Sequence, residues 1–326
     1  MGLTDTSTQP TWAFTGPALL RSALMLVSAV VVASCGAAGA ATHDASGQPD
    51  APLSIVTTTN IVAASVEPLV GDDVEVTSLM GAGVDPHDYQ PVASDLTKLR
   101  DADLALAVGL DLEANLLPVL DNLTDTEVVR IGEAVPSEKL LPADEEMYDP
   151  HVWFDVDLWS YAVGAAAGAV VDIAPQMESQ VAEATAQFLQ ELDDLHVELD
   201  QMYASIAPQQ RVLVTSHDAF RYLGRAHEIE VEGIQGISTA SEATTHDVQR
   251  AVDLVVDREI PAIFVESSVN PAALDAVIAA AGRSGVDVSS GGALFSDAAG
   301  EPGTAEGTYE GMLRANATTI TDALTR

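Results

Sequence analysis

Seven histidines occur in the 326 residues, and three of them stand in similar settings. His87 follows Asp85-Pro86 at the end of SLMGAGVDPH, residues 78–87, and His151 follows Asp149-Pro150 in DPHVWFDV, residues 149–156. His217 comes directly after VLVTS, residues 212–216, and opens HDAFRYL. Neutral imidazole is the commonest protein ligand for zinc and neighbouring dications, so the chemistry these residues suggest is metal binding. The chain has no i, i+4 histidine pair of the HExxH kind, and a site must be gathered from distant segments. Proline ahead of the first two histidines fixes the local backbone and lowers the entropy lost when a ligand is held. Asp85 and Asp149 are suited to accept from nearby backbone N–H groups or from an imidazole N–H. His196 falls in a long helical pattern, and His227 and His246 in the polar parts of two others; these three read as ordinary helix residues.

Ligands on loops need elements to hold them. Short apolar or β-branched runs at 53–57, 74–79, 104–108 and 128–131 predict strands in the first half. Helical spacings fall between them, through Ile61, Ala64, Val66 and Leu69, near 94–100 and near 112–122. The second half repeats the rhythm, with strands at 212–215, 229–234, 262–265 and 286–289 and helices at 218–227, 240–258, 271–282 and 305–325. This alternation predicts parallel strands with crossover helices. The three histidines lie next to element ends, where α/β folds place ligand sites.

Between the halves, 175–206 has no glycine and no internal proline. Its apolar positions, Val181, Thr185, Phe188, Leu192, Leu195, Leu199 and Met202, step by fours and threes, the mark of a helix with one buried stripe. At about 1.5 Å per residue it runs over about 40 Å. The expected fold class is α/β: two (β/α) lobes with parallel sheets, 53–172 and 208–326, joined by a long rigid spine helix, 173–207.

The single cysteine, Cys35, excludes an intrachain disulfide and cysteine-rich zinc modules. Arg21 precedes an apolar run, 23–33, which leads to Ser34, Cys35 and Gly36, the pattern of a secretory signal. The run is too short for a comfortable membrane span. VASC at 32–35 resembles the lipobox of bacterial and archaeal lipoproteins, whose cysteine is lipidated and becomes the mature N-terminus. On that reading 1–35 is a lipoprotein signal peptide, 36–52 is a flexible Ala/Gly/Ser/Asp-rich tether, and the protein is held on the outer face of the cell membrane through Cys35. The formal charge is −37, with 50 acidic residues against 13 basic ones, so no nucleic-acid partner is expected. Such acidity can concentrate cations near a cleft. Screening beyond about 10 Å favours its reading as a solvated surface.

Taken together, these segments resemble the cluster A-I, ZnuA/TroA-like, solute-binding proteins of metal ABC transporters. GAGVDPHDYQPVASD (81–95) resembles the family's first ligand segment and DPHVWFDV its second. SHDAFRYLGRAHEIEVEGIQGISTASEAT (216–244) resembles the third, and GGALFSDAAGEPGTAEGTYEGMLRANATTI (291–320) the C-terminal one. The resemblance runs from about Leu53 to the C-terminus. It implies a metal site in the cleft between the lobes, with His87, His151, His217 and Asp297 as ligands. Asp297 comes from the resemblance alone; by its own pattern FSDAAG is a polar turn. Glu266, ending the strand-like IFVE, is a candidate acceptor beside a ligand and equally a cap of the next turn. The implied partners are a divalent metal ion and an ABC permease with its ATPase, and the implied state is a monomer.

Three nitrogens and a carboxylate suit zinc, and also manganese or iron if the carboxylate binds through both oxygens. In the family a glutamate at the third position goes with manganese, whereas this chain has His217. The His-rich loop of zinc-dedicated members has no counterpart in 138–151. The expected cargo is Zn2+ or Mn2+, with zinc preferred. The expectation is a binding protein and not an enzyme. Two rival classes are a zinc-dependent hydrolase, which needs an open coordination position and a base, and a surface adhesin lipoprotein with a structural metal.

Overall fold

A computed structural model describes residues 52–144 and 147–325. The expected signal peptide, the lipidation of Cys35 and the tether up to residue 51 lie outside the described residues, as does His43. The first lobe runs β1 (Leu53–Thr59), α1 (Asn60–Val70), β2 (Val74–Met80), α2 (Ala93–Asp101), β3 (Leu104–Ala107), a short α3 (Leu117–Leu120) and β4 (Glu127–Arg130). Helices α4 (Val156–Ile173) and α5 (Glu178–Ala204) follow. The second lobe runs β5 (Val212–His217), α6 (Arg221–His227), β6 (Glu230–Gln235), α7 (Thr245–Arg258), β7 (Ala262–Glu266), α8 (Ala272–Arg283), β8 (Ser289–Leu294) and α9 (Tyr309–Leu324).

Both sheets are parallel and share one order, β2-β1-β3-β4 and β6-β5-β7-β8. Their central strands are buried on both faces, LALA in β3 and VLVTSH in β5, as parallel sheets under crossover helices require. In each lobe the strand order reverses between the first and third strands, which opens a crevice at their carboxyl ends. Those crevices carry the site.

The expected spine is present as α5, opened by a 3-10 turn at Pro175–Met177. Its 27 residues span about 40 Å at ~1.5 Å per residue. Val181, Phe188, Leu192, Leu195 and Leu199 form the buried stripe, which Tyr203 completes. The stripe packs on α1, α4 and α9, so the spine touches both lobes. One apolar core runs continuously through it, from Ile55 and Leu106 through Trp159 and Leu195 to Leu213, Phe264 and Ile320. Smaller clusters fill the outer layers under α2 and under α7 and α8.

Three local expectations change. The helix expected near 112–122 shrinks to α3 among turns, because the chain enters through Gly109, Leu110 and Asp111 at φ 78°, 55° and 63°. Glu113 holds that left-handed turn: its buried carboxylate accepts from Val108 N–H at 2.9 Å, Gly109 N–H at 3.0 Å and the Thr58 hydroxyl at 2.6 Å. The last strand lies at Ser289–Leu294 and not at 286–289. Its glycines are structural, since the Phe264 ring stands where a Cβ of Gly291 would be and Gly292 has φ 125° at a bulge against β7. The helix at 240–258 starts only at Thr245, where Thr244 and Asp247 form a capping box. Helix α4 was not foreseen. Asp155 caps it, and its Trp159, Ala162, Val163, Ala166 and Val170 are core residues.

Candidate metal centre

Strand register places the first pair of side chains. Thr215 of β5 stands beside Phe264 of β7, so two residues on, at the shared carboxyl end, His217 stands beside Glu266. Glu266 accepts the His217 backbone N–H through Oε1 at 2.8 Å, and its Oε2 pairs with the imidazole Nδ1. His87 and His151 come from loops of the first lobe, each turned by the aspartate two residues before it. Asp85 Oδ1 accepts the His87 backbone N–H at 2.9 Å, and Asp149 Oδ1 accepts that of His151 at 3.1 Å. Asp149 also takes the His151 Nδ1–H at 2.7 Å. Asp297 lies three residues past the end of β8.

These segments bring one atom each to a common point. His151 Nε2 is 3.3 Å from His87 Nε2 and 3.3 Å from His217 Nε2. Asp297 Oδ1 is 3.3 Å from His151 Nε2 and 3.5 Å from His217 Nε2. All four ligand atoms lie within 4.8 Å of one another. Donors at about 2.0–2.1 Å from a tetrahedral zinc ion stand about 3.3–3.4 Å apart along each edge. The edges that meet at His151 and the His217–Asp297 edge, at 3.3–3.5 Å, have that dimension, while His87 stands farther from Asp297. It is also buried, with residue exposures of 4% for His87, 0% for His151 and His217 and 1% for Asp297.

The hydrogen bonds define what these atoms offer. A carboxylate only accepts, so Nδ1 of His151 and of His217 carries a hydrogen, which in the neutral ring leaves Nε2 facing the cluster as a lone pair. Asp297 Oδ2 accepts from the Ser268 hydroxyl at 3.1 Å, while Oδ1 is buried without a hydrogen-bond partner. Lone pairs that converge so closely repel one another unless a cation or protons stand between them.

Burial pulls the pKa of His87 down to about 3. At His151 burial acts in the same sense, but Asp149 and Asp297 outweigh it and lift the value to about 9. At His217, Glu266 and Asp297 likewise outweigh burial and hold the ring well above its ordinary value. Burial alone would raise Asp297; His217 and His151 hold it well below the carboxylate range. The negative charge that draws protons to two rings also draws a dication, and both compete for the same lone pairs. Solvent approaches on the His87 side, through a cavity of about 210 Å³ lined by Asp111, Tyr148, Pro150, Ile237 and Ser238. A larger groove of about 830 Å³ on the first lobe contains none of the four residues.

The structure therefore gathers His87, His151, His217 and Asp297, and sets Asp149 and Glu266 against two of the rings. Asp85 meets backbone and not imidazole, and its Oδ2 accepts from the Thr239 hydroxyl. His196 and His227 lie elsewhere, against Asp157 and Asp200, and His227 is buried against Tyr203 and not on a polar helix face. Sequence reasoning missed Asn60 and Trp153, which bond the backbone on either side of Asp297, Ser268, which meets its carboxylate, and Arg221, which faces Asp149. Arg221 lies 3.5 Å from Asp149 Oδ2. None of these carries a local signal, since each partner is remote along the chain.

The family described as "Zinc-uptake complex component A periplasmic", ZnuA, matches residues 55–323. The chain is 42% identical over 301 residues to the manganese-binding lipoprotein MntA of Bacillus subtilis (strain 168), covering 92% of this chain and 98% of that protein. It is also 42% identical over 273 residues to the zinc-binding protein TroA of Treponema pallidum (strain Nichols), covering 83% and 89%. The solved structure of the periplasmic zinc-binding protein TroA from Treponema pallidum aligns with a TM-score of 0.83 at 42% identity, over 84% of this chain and 99% of that one. It shares the two lobes and the long helix between them. By this match along the described chain, and with a buried cluster of three histidines and an aspartate at its centre, the protein belongs to the ZnuA family.

Proposed function

We propose that this protein captures a divalent transition metal outside the cytoplasm and delivers it to an ABC import permease with its ATPase, with His87, His151, His217 and Asp297 as the ligands. The observation that carries the reading is the convergence of four electron-pair donors within 4.8 Å of one another in a buried site. Relatives are named for manganese and for zinc, and the cargo here is one or both. Zinc fits the geometry better. Ser268 engages Oδ2, and Oδ1, buried without a partner, is the oxygen that joins the three rings to make four donors. Manganese favours a larger, oxygen-rich shell and would draw in Oδ2 as a second oxygen.

A closed four-donor shell supports capture over hydrolysis, because a catalytic zinc keeps one position for water. The name lipoprotein borne by relatives supports an extracytoplasmic, membrane-anchored protein. We assign the anchor to Cys35, with 36–52 as the tether, 53–172 and 208–326 as the lobes, 173–207 as the spine, and a monomer as the working unit. The core shared across the spine limits opening to a small displacement of the lobes.

The test is metal analysis of protein purified without added metal, followed by competition between zinc and manganese. We expect a single bound ion per chain and displacement of manganese by zinc. The His217→Ala variant should lose more than the roughly 10–100-fold in zinc affinity typical of removing a ligand's supporting partner. Parent-like zinc binding by that variant would sink the four-ligand assignment.

A further inference from the structure

The loop that carries Asp297 follows β8 of the second lobe, yet its backbone is fastened to the first. The Asn60 side chain, buried at the start of α1, donates from Nδ2 to the Ala299 carbonyl at 2.9 Å and to the Gly300 carbonyl at 3.3 Å. Its Oδ1 accepts the Ala299 N–H at 2.9 Å. On the other side of Asp297, the Trp153 indole donates to the Ser296 carbonyl at 3.0 Å. Ala298 and Ala299 are each 1% exposed, so no water replaces these bonds. A local role does not explain Asn60, because Thr59 is the residue that caps α1, accepting from Val62 N–H.

We propose that Asn60 is a positioning residue for the metal site: its amide clamps the Asp297 loop to the first lobe and so sets where Oδ1 stands relative to His87 and His151. The inference rests on the reading of Asp297 as a ligand and deepens it. Asparagine is suited to the task because one planar group carries both a donor and an acceptor, which copies the pairing of two peptides. Ala299 is only two residues from Asp297, so a shift at the clamp reaches the carboxylate directly. From the second lobe, Ser268 meets Asp297 Oδ2 and the Ser296 hydroxyl, and Asn316 pairs with the Phe295 backbone, so the Asp297 loop is held from both sides and Asn60 supplies the first lobe's share.

The test is a double-mutant cycle on the full chain with zinc as the probe. Affinity is read by chelator competition, and ligand geometry by the visible spectrum of the cobalt(II)-loaded protein. Asn60→Ala should weaken zinc binding by about 10–100-fold, the range for partners that orient a ligand, and change the cobalt spectrum. In an Asp297→Ala background the same substitution should change affinity less than about twofold, because the two act through one contact. Asn60→Asp keeps the shape and the acceptor but sets an oxygen against two carbonyls. It should behave as Asn60→Ala does and serves if the alanine variant folds poorly. An equal loss with and without Asp297, or no loss at all, overturns the role of Asn60. Parent-like affinity in Asp297→Ala alone overturns the ligand assignment instead.

Discussion

At the scale of single residues, the three imidazoles are supported differently. The His217 ring rests on Glu266, and the His151 ring on Asp149, which also faces Arg221 across 3.5 Å. The carboxylate next to His87, Asp85, is taken up by the backbone N–H and the Thr239 hydroxyl. A carboxylate on Nδ1 fixes the tautomer and makes Nε2 a better donor. Glu266→Gln and Asp149→Asn should each lower zinc affinity about 10–100-fold, whereas Asp85→Asn should cost less than about tenfold, since it touches no ring. Chelator competition at fixed pH measures all three. Equal losses at the three positions would remove the distinction.

Among the elements, α6 is a short helix that ties together more than its length suggests. Tyr222 donates to the Asp149 carbonyl at 3.0 Å and accepts the Leu141 N–H at 2.9 Å. Arg225 donates to the Lys139 carbonyl and to Asp155. At its end His227 meets Asp200 of the spine at 2.8 Å, with His196 and Asp155 as further neighbouring charges. Burial lowers the His227 pKa, and Asp200 only partly opposes it. A histidine held neutral in the fold takes up protons more readily once unfolded. Its contribution to stability is therefore present above the ordinary value of 6.5 and is lost as pH falls below it toward the lowered folded value. Chemical denaturation of the metal-free protein across this range should show that loss, and His227→Gln should flatten it. An unchanged slope would place the pH dependence in other groups.

For the whole molecule, the continuous core matters more than the division into lobes. It passes from β1 and β3 through α4 and α5 to β5, β7 and α9 without calling on the four ligands. Metal-free protein should therefore remain folded, with helical circular dichroism intact. Zinc at 100 times its dissociation constant should add about 2.7 kcal/mol of stability through binding to the native state alone. Thermal melting with and without chelator reads this, and small-angle scattering should show nearly equal radii. A metal-free chain that melts out entirely would make the ion a structural staple and favour the adhesin reading.

Local chemistry made much of this protein legible from its residues. The Asp-Pro-His triplets, the histidine at the end of VLVTS and the stripe of the spine each announce themselves within a few residues, because turn geometry and periodicity are short-range properties. Glu266 needed one step more, the register of β5 on β7, before its strand end became the neighbour of His217. Asp297 was anonymous among 50 acidic residues and emerged only through resemblance to a family. Asn60 and Trp153 stayed invisible, since their partners lie 239 and 143 residues away. Which backbone group a buried amide or indole will meet depends on how two lobes close over one core, and no local pattern encodes that closure.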